Sequence, residues 1–384
     1  MVKFAHLADV HLGGWKQEPM QKLNFQSFVK AIDKIIIEKP DFALFSGDLF
    51  DSAYPSIETL KETFAEFKKL KEAKIPVFLV AGSHDYSVSG KTFLDVLEKA
   101  GFCKNIVDFK ENEDEIILNP TILNGVAIFG YPGKKSGMEI NDLRRVKLND
   151  APGLFKIFML HTTIDKVIGT IPMDSIKTEE LPEADYYALG HIHVDFQYKN
   201  FVYPGPVFPN NFKELEDLNC GSFYFVDTEK GDPLTKVELN IKKVLPITIE
   251  IEDATTATDQ IIEEIKKYEI EDKIVLLRLH GEIEKGQISD IKLTEIEEFI
   301  KRTAYFALRN THDLKTKEIK FQTEIKSDDI EKDTITGYSE NNPSDFNHLM
   351  PELMNSLSIE KQEDERVETF NNRLMEDIKK VLKF

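Results

Sequence analysis

The chain begins with an apolar run that ends in polar side chains, since residues 4–13 read FAHLADVHLG. Val2–Ala8 has the composition of a buried strand, and Asp9 and His11 follow where that strand is predicted to end. Because alternate residues of an extended chain point the same way, this Asp-x-His pair can present a carboxylate and an imidazole to one ion. Taken alone, the triplet more often contains a hydrogen-bonded histidine near a core than a ligand pair.

Four further clusters of Asp and His follow predicted strands later in the chain. They are Gly47-Asp48 after Phe42–Ser46, Gly82-Ser83-His84-Asp85 after Val77–Ala81, His161 after Ile157–Leu160, and Gly190-His191-Ile192-His193 after Tyr186–Leu189. Strand ends are where an α/β protein gathers side chains into one crevice. Carboxylates and imidazoles together match what two neighbouring divalent ions need, and paired ions are typical of phosphoester hydrolysis.

Single members of this set also have ordinary structural interpretations. Asp48 stands where a loop or helix-capping aspartate is common, although its two oxygens could bridge two ions. His6 lies inside the first strand, and we expect it to be a hydrogen-bonded core histidine. Of the nine histidines, however, six precede residue 194 and five of those stand at predicted strand ends. The joint pattern therefore predicts a metal site that no single cluster establishes.

The first hundred residues alternate between strand and helix patterns. Helical spacing of apolar residues over Phe25–Ile37 and Ile57–Leu70 separates the three strands named above. This βαβαβ order predicts a sheet with covering helices. After Gly101 the predicted strands become denser, and we expect them to form a second sheet packed on the first. They are Ile116–Leu118, Val126–Phe129, Phe155–Leu160, Tyr186–Leu189, Phe201–Tyr203 and Ser222–Val226.

The chain from residue 245 onward has a different organisation. Strand and helix patterns over 245–325 predict a compact α+β domain, and the polar stretch 326–344 predicts a linker. Residues 345–384 offer two amphipathic helices. The apolar stripe of the first has Phe346, Leu349, Met350, Leu353 and Leu357, and that of the second has Val367, Phe370, Leu374, Ile378 and Val381.

Composition narrows the class of protein. With 384 residues, 41% apolar residues and 27 phenylalanines, the chain can bury a sizeable core over two or three domains. No apolar stretch approaches the length of a membrane span, and the N-terminus enters a strand at once, with no basic-then-apolar leader. Cys103 and Cys220 are the only cysteines and form neither a disulfide framework nor a zinc knuckle, so we expect a reducing, intracellular setting. The net charge of −19 predicts a small nucleic-acid footprint, or a basic partner that supplies the rest.

The order of the motifs resembles that of the calcineurin-like metallophosphoesterase superfamily, which runs DxH, GD, GNH or GND, H and GHxH. In detail the chain resembles one branch, the nuclease subunit of the double-strand-break repair complex, called SbcD in bacteria and meiotic recombination eleven in archaea and eukaryotes. The stretches that carry this resemblance to the archaeal type are FAHLADVHLG, DFALFSGDLFD, IPVFLVAGSHD, YYALGHIH and VYPGP. The resemblance implies an α/β fold, with a four-layer sandwich of two sheets flanked by helices over 1–240 and a capping domain over 245–325.

The resemblance also implies roles for the site residues. One divalent ion would be held by Asp9, His11, Asp48 and His193, and a second by Asp48, His161 and His191, with Asp48 bridging. The family's preference makes Mn2+ the expected metal. His84 would face the scissile phosphate, stabilising charge or protonating the leaving oxygen.

Three positions depart from the family's pattern. Ser83 stands where the family has an asparagine whose carbonyl oxygen ligates the second ion, so we expect that ion to bind less tightly than the first. Asp51 stands where some relatives carry a histidine near the phosphate, and Pro206 replaces a serine.

Partners are implied by the same resemblance. The family acts on DNA and docks its C-terminal helices on the coiled-coil base of an SMC-like ABC ATPase of the SbcC type. It also forms a homodimer through helices matching residues 56–72 and 91–100, where Leu60 and Val96 would lie at the interface. The resemblance therefore implies a manganese-dependent exonuclease or endonuclease of double-strand-break repair, in the cytoplasm of a prokaryote and associated with the nucleoid.

Other interpretations remain open from the sequence. The chain could be a phosphatase or cyclic-nucleotide phosphodiesterase of the same superfamily, or a largely non-catalytic scaffold that retains a metal site and delivers the ATPase to DNA ends. The tail helices could instead fold back or pair with their own kind. Trp15 could stack on a displaced base, although a tryptophan packed under a loop is the more common arrangement.

Overall fold

The computed structural model describes residues 2–86, 92–134, 137–168, 174–316, 344, 346–359 and 367–382. The chain divides into two compact units, residues 1–315 and 316–384. Most of the predicted linker 326–344, and residues 317–325 of the predicted capping domain, lie outside the described residues.

The strands of the described residues are β1 (Lys3–Leu7), β2 (Phe42–Ser46), β3 (Val77–Val80), β4 (Lys104–Asn105), β5 (Phe109–Glu111), β6 (Ile116–Leu118), β7 (Thr121–Leu123), β8 (Val126–Tyr131), β9 (Val146–Leu148), β10 (Phe155–His161), β11 (Tyr186–Gly190), β12 (Asp195–Tyr198), β13 (Phe201–Pro204), β14 (Gly221–Asp227), β15 (Leu234–Leu239), β16 (Val244–Glu250), β17 (Ile274–Ile283) and β18 (Phe306–Thr316). The helices of the first unit are α1 (Glu18–Glu38), α2 (Ile57–Glu72), α3 (Leu94–Lys99), α4 (Glu139–Leu143), α5 (Asp165–Ile168), α6 (Phe212–Leu218), α7 (Ala257–Ile265) and α8 (Leu293–Lys301).

Two six-stranded sheets form the centre of the first unit. The first has the order β15-β14-β1-β2-β3-β4 and the second the order β12-β13-β11-β10-β8-β7. In the first sheet β1, β2, β3 and β4 are parallel neighbours. In the second, β8, β10, β11 and β13 are parallel. Strand β2 is buried along its whole length and is apolar up to Ser46, as expected for a parallel strand that is covered on both faces.

The sequence-based assignment of strands to sheets is wrong in two places. Ser222–Val226 forms most of β14, which pairs antiparallel with β1 in the first sheet. Ile116–Leu118 forms β6, which lies in a small third sheet of order β5-β6-β9. Both errors have one cause, because a strand's apolar pattern shows that it is buried but does not identify its hydrogen-bonding neighbour.

The two large sheets pack face to face. Phe4, Phe42 and Phe78 from the first sheet meet Ile128, Met159 and Ala188 from the second in one buried cluster. A separate cluster joins the first sheet to α1, α2 and α3, and another covers the outer face of the second sheet near α4. This layered α/β architecture agrees with the predicted sandwich.

A three-stranded sheet, β16-β17-β18, follows the sandwich. One of its faces buries apolar residues of α7 and α8, including Ile261 and Ile296. Its other face supplies Ile274 and Leu276 to a cluster that also contains Leu215 of α6. Residues 245–316 are therefore an α+β element packed on the sandwich, while the domain boundaries themselves stay predictions.

The second unit contains two tail helices, Met350–Leu357 and Val367–Leu382, which contact each other. Leu349, Leu353, Phe370, Leu374 and Ile378 are half-buried, whereas Phe346 is 69% exposed. Among the described residues, no helix is both long and apolar enough to cross a bilayer.

Candidate metal centre

The predicted Asp and His clusters meet in one crevice at the carboxyl ends of the parallel strands. Asp9 and Asp48 follow β1 and β2, and the turn 82–85 follows β3. His161 ends β10, and His191 follows β11. Both sheets therefore contribute side chains to a single site, as expected for ligands collected at strand ends.

One group of side chains combines Asp9, His11 and His193, whose ligand atoms all lie within 4.8 Å of one another. The Nε2 atoms of His11 and His193 are 3.0 Å apart. His193 Nε2 lies 3.9 Å from Asp9 Oδ1, and His11 Nε2 lies 3.6 Å from Asp48 Oδ2.

A second group combines Asp48, His161 and His191. His161 Nε2 lies 3.0 Å from Asp48 Oδ2 and 3.3 Å from His191 Nδ1. The Oδ2 atom of Asp48 thus stands between the two groups and can bridge them.

His84 stands at the open side of this crevice. Its side chain is 48% exposed, and its Nδ1 donates to the backbone carbonyl of Asp51 at 2.8 Å. Its ring centroid lies 4.9 Å from that of His11, and its own ligand nitrogen falls within a third group with His11 and Asp48. Ser83 precedes it in the turn and is half-buried.

The hydrogen bonds behind the histidines aim their lone pairs into the crevice. His11 Nδ1 donates to Asp51 Oδ1 at 3.1 Å, and His193 Nδ1 donates to Glu214 Oε1 at 2.9 Å. His161 Nδ1 donates to the carbonyl of Ser46 at 2.9 Å. In each neutral ring Nε2 is then the acceptor nitrogen, which is the form that binds a metal.

The residues present fit bound cations. The Nε2 atoms of His11 and His193, 3.0 Å apart, need a shared proton or a cation between them, because two bare lone pairs at this distance repel each other. Adjacent ligands of an ion with bonds of about 2.1 Å are about 3 Å apart, which matches this spacing. Asp9 Oδ2 is buried, with no hydrogen-bond partner among the described residues. A buried carboxylate oxygen of this kind calls for a cation or a donor.

The electrostatics of the crevice favour positive charge. Burial disfavours the charged ring of His161, yet the neighbouring Asp48 carboxylate outweighs it and raises the pKa of His161 to about 10. Burial is likewise outweighed at His193, where Glu214 and Asp9 raise the pKa to about 9. At His191, burial and the charge of His161 lower the pKa to about 4. The carboxylates therefore create a negative field that a divalent ion would satisfy.

The backbone presents the ligands differently from the sequence-based expectation. Strand β1 ends at Leu7, and Asp9 and His11 have φ values of +52° and +46°. Asp48 and His191 also have positive φ, at +51° and +99°. The Asp-x-His pair therefore reaches the crevice from a left-handed turn and not by alternation along a strand. Such backbone strain is frequent at functional sites.

Two glycines of the motifs are required by close approach. A Cβ atom on Gly47 would lie 2.1 Å from His161 Nδ1, and one on Gly82 would lie 2.2 Å from Asp48 Oδ1. Any larger residue at either position would displace a candidate ligand, His161 or Asp48.

Sequence reasoning missed the partners behind the ligands. Glu214 lies in α6, outside every motif, and no local pattern distinguishes it from other helical glutamates. Asp51 was identified only as a departure near the phosphate, whereas its carboxylate accepts from His11. Carboxylates that hold a ligating histidine in this way are a regular part of metal sites.

Two aromatic residues near the crevice belong to the core. His6 is buried, with its ring nitrogens 3.0 Å from the Tyr186 hydroxyl and 3.1 Å from the Ser46 hydroxyl, as predicted for a core histidine. Burial lowers the pKa of His6 to about 3. Trp15 is only 6% exposed and donates to the carbonyl of Pro209, so in this structure it is packed and cannot stack on a base.

A family model described as calcineurin-like phosphoesterase matches residues 2–195, a span that contains all seven ligand candidates. The chain belongs to the calcineurin-like phosphoesterase family. Members of this family bind divalent metals, and this calcineurin-like phosphoesterase is accordingly a metal-dependent hydrolase of phosphoesters.

Similar proteins identify the branch of the family to which this phosphoesterase belongs. The DNA double-strand break repair protein Mre11 of Archaeoglobus fulgidus is 29% identical, with 95% of this chain and 82% of that protein covered. The protein of the same name from Methanocaldococcus jannaschii is 31% identical, with 64% and 69% covered. The uncharacterized metallophosphoesterase YhaO of Bacillus subtilis is 29% identical, with 60% and 58% covered. The chain is thus a member of the SbcD/Mre11 branch, which confirms the resemblance found in the motifs.

Proposed function

We propose that this protein is a manganese-dependent nuclease that cleaves DNA phosphodiesters, as an exonuclease or endonuclease, in double-strand-break repair. The observation that carries the proposal is the convergence of two ligand groups on one atom, Asp48 Oδ2, beside the exposed His84. Relatives named as DNA double-strand break repair proteins support DNA as the substrate.

The ligands divide between two sites that share one carboxylate. Asp9, His11, Asp48 and His193 would hold one ion, and Asp48, His161 and His191 would hold the other. A pair of divalent ions, when bound, neutralises phosphate charge and lowers the pKa of a water that becomes the nucleophile. Mixed carboxylate and imidazole ligands suit Mn2+. The protein's own contribution is to hold the carboxylate and imidazole ligands in place and to position the phosphate beside His84.

His84 is the residue that we assign to the leaving group. Since its Nδ1 donates to the Asp51 carbonyl, Nε2 is the nitrogen left to transfer a proton. A charged His84 would give that proton to the departing 3′ or 5′ oxygen as a general acid. Half exposure of the side chain leaves room for a bulky substrate at this nitrogen.

Substrate class can be tested directly. The purified chain with Mn2+ would be assayed on linear duplex DNA and on a small aryl phosphodiester, with and without an SMC-like ATPase of the SbcC type. We expect DNA cleavage. Hydrolysis of the aryl ester without DNA cleavage under both conditions would replace the nuclease proposal with a small-substrate phosphodiesterase.

We further propose that the tail helices bind such an ATPase, which would provide the grip on DNA that a chain of net charge −19 lacks. Their apolar residues support this, because Phe346, Met354, Leu357 and Met375 are 44–69% exposed within the second unit. The surface proposed for the partner comprises Phe346, Leu349, Leu353, Val367, Phe370, Leu374 and Ile378. Of these Phe346 is exposed, and Leu349, Leu353, Phe370, Leu374 and Ile378 are half-buried beside the exposed Met354, Leu357 and Met375.

A homodimer through α2 and α3 is also proposed. Val96 is 46% exposed and Ile57 is 84% exposed, whereas Leu60 is half-buried against the first sheet's helices. The α+β element from residue 245 would then act as the capping domain beside the DNA.

Ser83, which stands where the family has an asparagine, leads to a prediction about the second metal site. Each group has three side chains, Asp9, His11 and His193 or Asp48, His161 and His191. Because Asp48 is proposed to be shared with the first ion and Ser83 lacks the family's amide ligand, we expect the second Mn2+ to bind more weakly. Ser83→Asn adds an amide oxygen one atom farther from the backbone and should tighten the second ion by about tenfold. Calorimetric titration with MnCl2 measures both sites, and two equal sites in the native chain would contradict the prediction. Ser52→Asn, at an exposed loop position, is the matched control.

A further inference from the structure

Helix α6 lies between the metal centre and the three-stranded sheet. Leu215 is fully buried in a cluster with Ile274 and Leu276 of β17. Glu214 and Glu216 flank Leu215 in the helix. Residues two apart in a helix point to different sides, so these two carboxylates can serve different neighbours.

Glu214 faces the metal centre and is held firmly. Its Oε2 accepts from the backbone N–H of Asn210 at 2.7 Å, and its Oε1 accepts from the Asn211 side chain at 2.6 Å. The same Oε1 accepts from His193 Nδ1 at 2.9 Å. This bond turns His193 Nε2 toward His11 Nε2, where the first ion is proposed to bind.

Glu216 faces the three-stranded sheet and pairs with Arg278 of β17. The Nε and Nη2 atoms of Arg278 bind the two Glu216 oxygens at 3.0 and 2.7 Å. A third nitrogen, Nη1, binds Asp313 at 3.0 Å, and the guanidinium lies 5.3 Å from the Phe212 ring. Arg278 and Glu216 are only about one-fifth exposed, so solvent screens this pair less than an open surface pair.

We infer that Glu214 is a positioning residue for His193, and that Arg278 controls this position from the three-stranded sheet by fixing α6 through Glu216. The inference rests on the proposed metal centre. Helix α6 is only two turns long, and it is held by Glu214 at His193 and by Glu216 at Arg278. Displacement of β17 would therefore move Glu214 as well. Affinity for the first ion would then depend on the placement of the sheet, which gives the proposed capping domain a direct mechanical link to catalysis.

Metal affinity of the full chain tests both parts of the inference. Titration calorimetry with MnCl2 would compare the native chain, Glu214→Ala, Arg278→Ala and the double variant. Glu214→Ala removes a carboxylate behind a ligating histidine and should weaken the binding of the first ion about 10- to 100-fold. The affinity for the second ion should be unchanged. Arg278→Ala should weaken the first ion about fivefold, but should add little in the Glu214→Ala background because both changes act on His193.

Arg309→Ala is the matched control. Arg309 lies on β18 of the same sheet but pairs with Glu297 of α8 at 2.7 Å, and not with α6. Arg278→Lys should restore part of the affinity, as lysine keeps the charge but cannot span both oxygens of Glu216. If Arg278→Ala fails to fold, Arg278→Lys carries the test.

Native affinity in Glu214→Ala would overturn the positioning role. Equal effects of Arg278→Ala and Arg309→Ala, or full additivity with Glu214→Ala, would overturn the link to the sheet. No Mn2+ binding by the native chain would overturn the metal centre itself, and the inference with it.

Discussion

Asp48→Asn is expected to weaken the binding of both metal ions and to lower the rate of phosphodiester cleavage by at least about 10³-fold, or about 4 kcal/mol. The reason is geometric, because Asp48 Oδ2 lies 3.6 Å from His11 Nε2 and 3.0 Å from His161 Nε2. Asp9 Oδ1 also lies 3.9 Å from a nitrogen of each group, but in His161 that nitrogen is Nδ1, which donates to the Ser46 carbonyl. Asparagine keeps the size of the side chain but removes its negative charge.

The fold should tolerate this substitution. Asp48 Oδ1 accepts from the backbone N–H of His84 at 2.8 Å, and the asparagine oxygen can take over that bond. The measurements are the rate on linear duplex DNA with Mn2+, calorimetric Mn2+ affinity and the thermal midpoint. Asp41→Asn, at the opposite end of the same strand, is the control and should leave metal binding unchanged. Loss of only one ion in Asp48→Asn would contradict the bridging role.

His84→Gln is expected to lower the cleavage rate by about 10²- to 10⁴-fold while leaving Mn2+ binding intact. His84 is held by the Asp51 carbonyl at the open side of the crevice, and its Nε2 is the only nitrogen of that ring free to serve the substrate. Glutamine can form a hydrogen bond with a phosphate oxygen but cannot carry the proton. The defect should therefore appear in kcat more than in KM.

Metal affinity and DNA cleavage together distinguish the general-acid role of His84 from a metal-ligand role and from a non-catalytic scaffold. If His84→Gln also loses an ion, His84 is a ligand in the group with His11 and Asp48 and not the general acid. If the native chain binds metal and the ATPase but cleaves no DNA, the non-catalytic scaffold is favoured. His312→Gln, at an exposed position of β18, is the matched control.

The candidate metal centre could be predicted from the sequence because its residues follow buried strands. The runs Phe42–Phe45 and Val77–Val80 are apolar, so the strand ends can be predicted from composition, and Asp48 and Gly82 follow within three residues. The carboxyl ends of parallel strands meet at one edge, which is enough to bring these residues together. Their convergence with His161 and His191 was thus predictable without any knowledge of distances.

Other features depend on tertiary contacts that a local pattern does not contain. Glu214 reaches His193 across 21 residues of sequence, from a short helix that carries no motif. The left-handed turns at Asp9 and Asp48 could not be predicted from residue type, because most aspartates have negative φ even though Asp adopts positive φ more often than other non-glycine residues. The pairing of β14 with β1 joins the two ends of the sandwich domain, and sequence spacing alone placed it in the wrong sheet.

The most direct test of the two-metal centre is the number of Mn2+ ions that the native chain binds, measured by equilibrium dialysis against MnCl2 followed by metal analysis. The proposed centre predicts two ions per chain, of unequal affinity, and loss of both in Asp48→Asn. A single ion in the native chain at saturating MnCl2, or two ions that persist in Asp48→Asn, would contradict the shared-carboxylate centre.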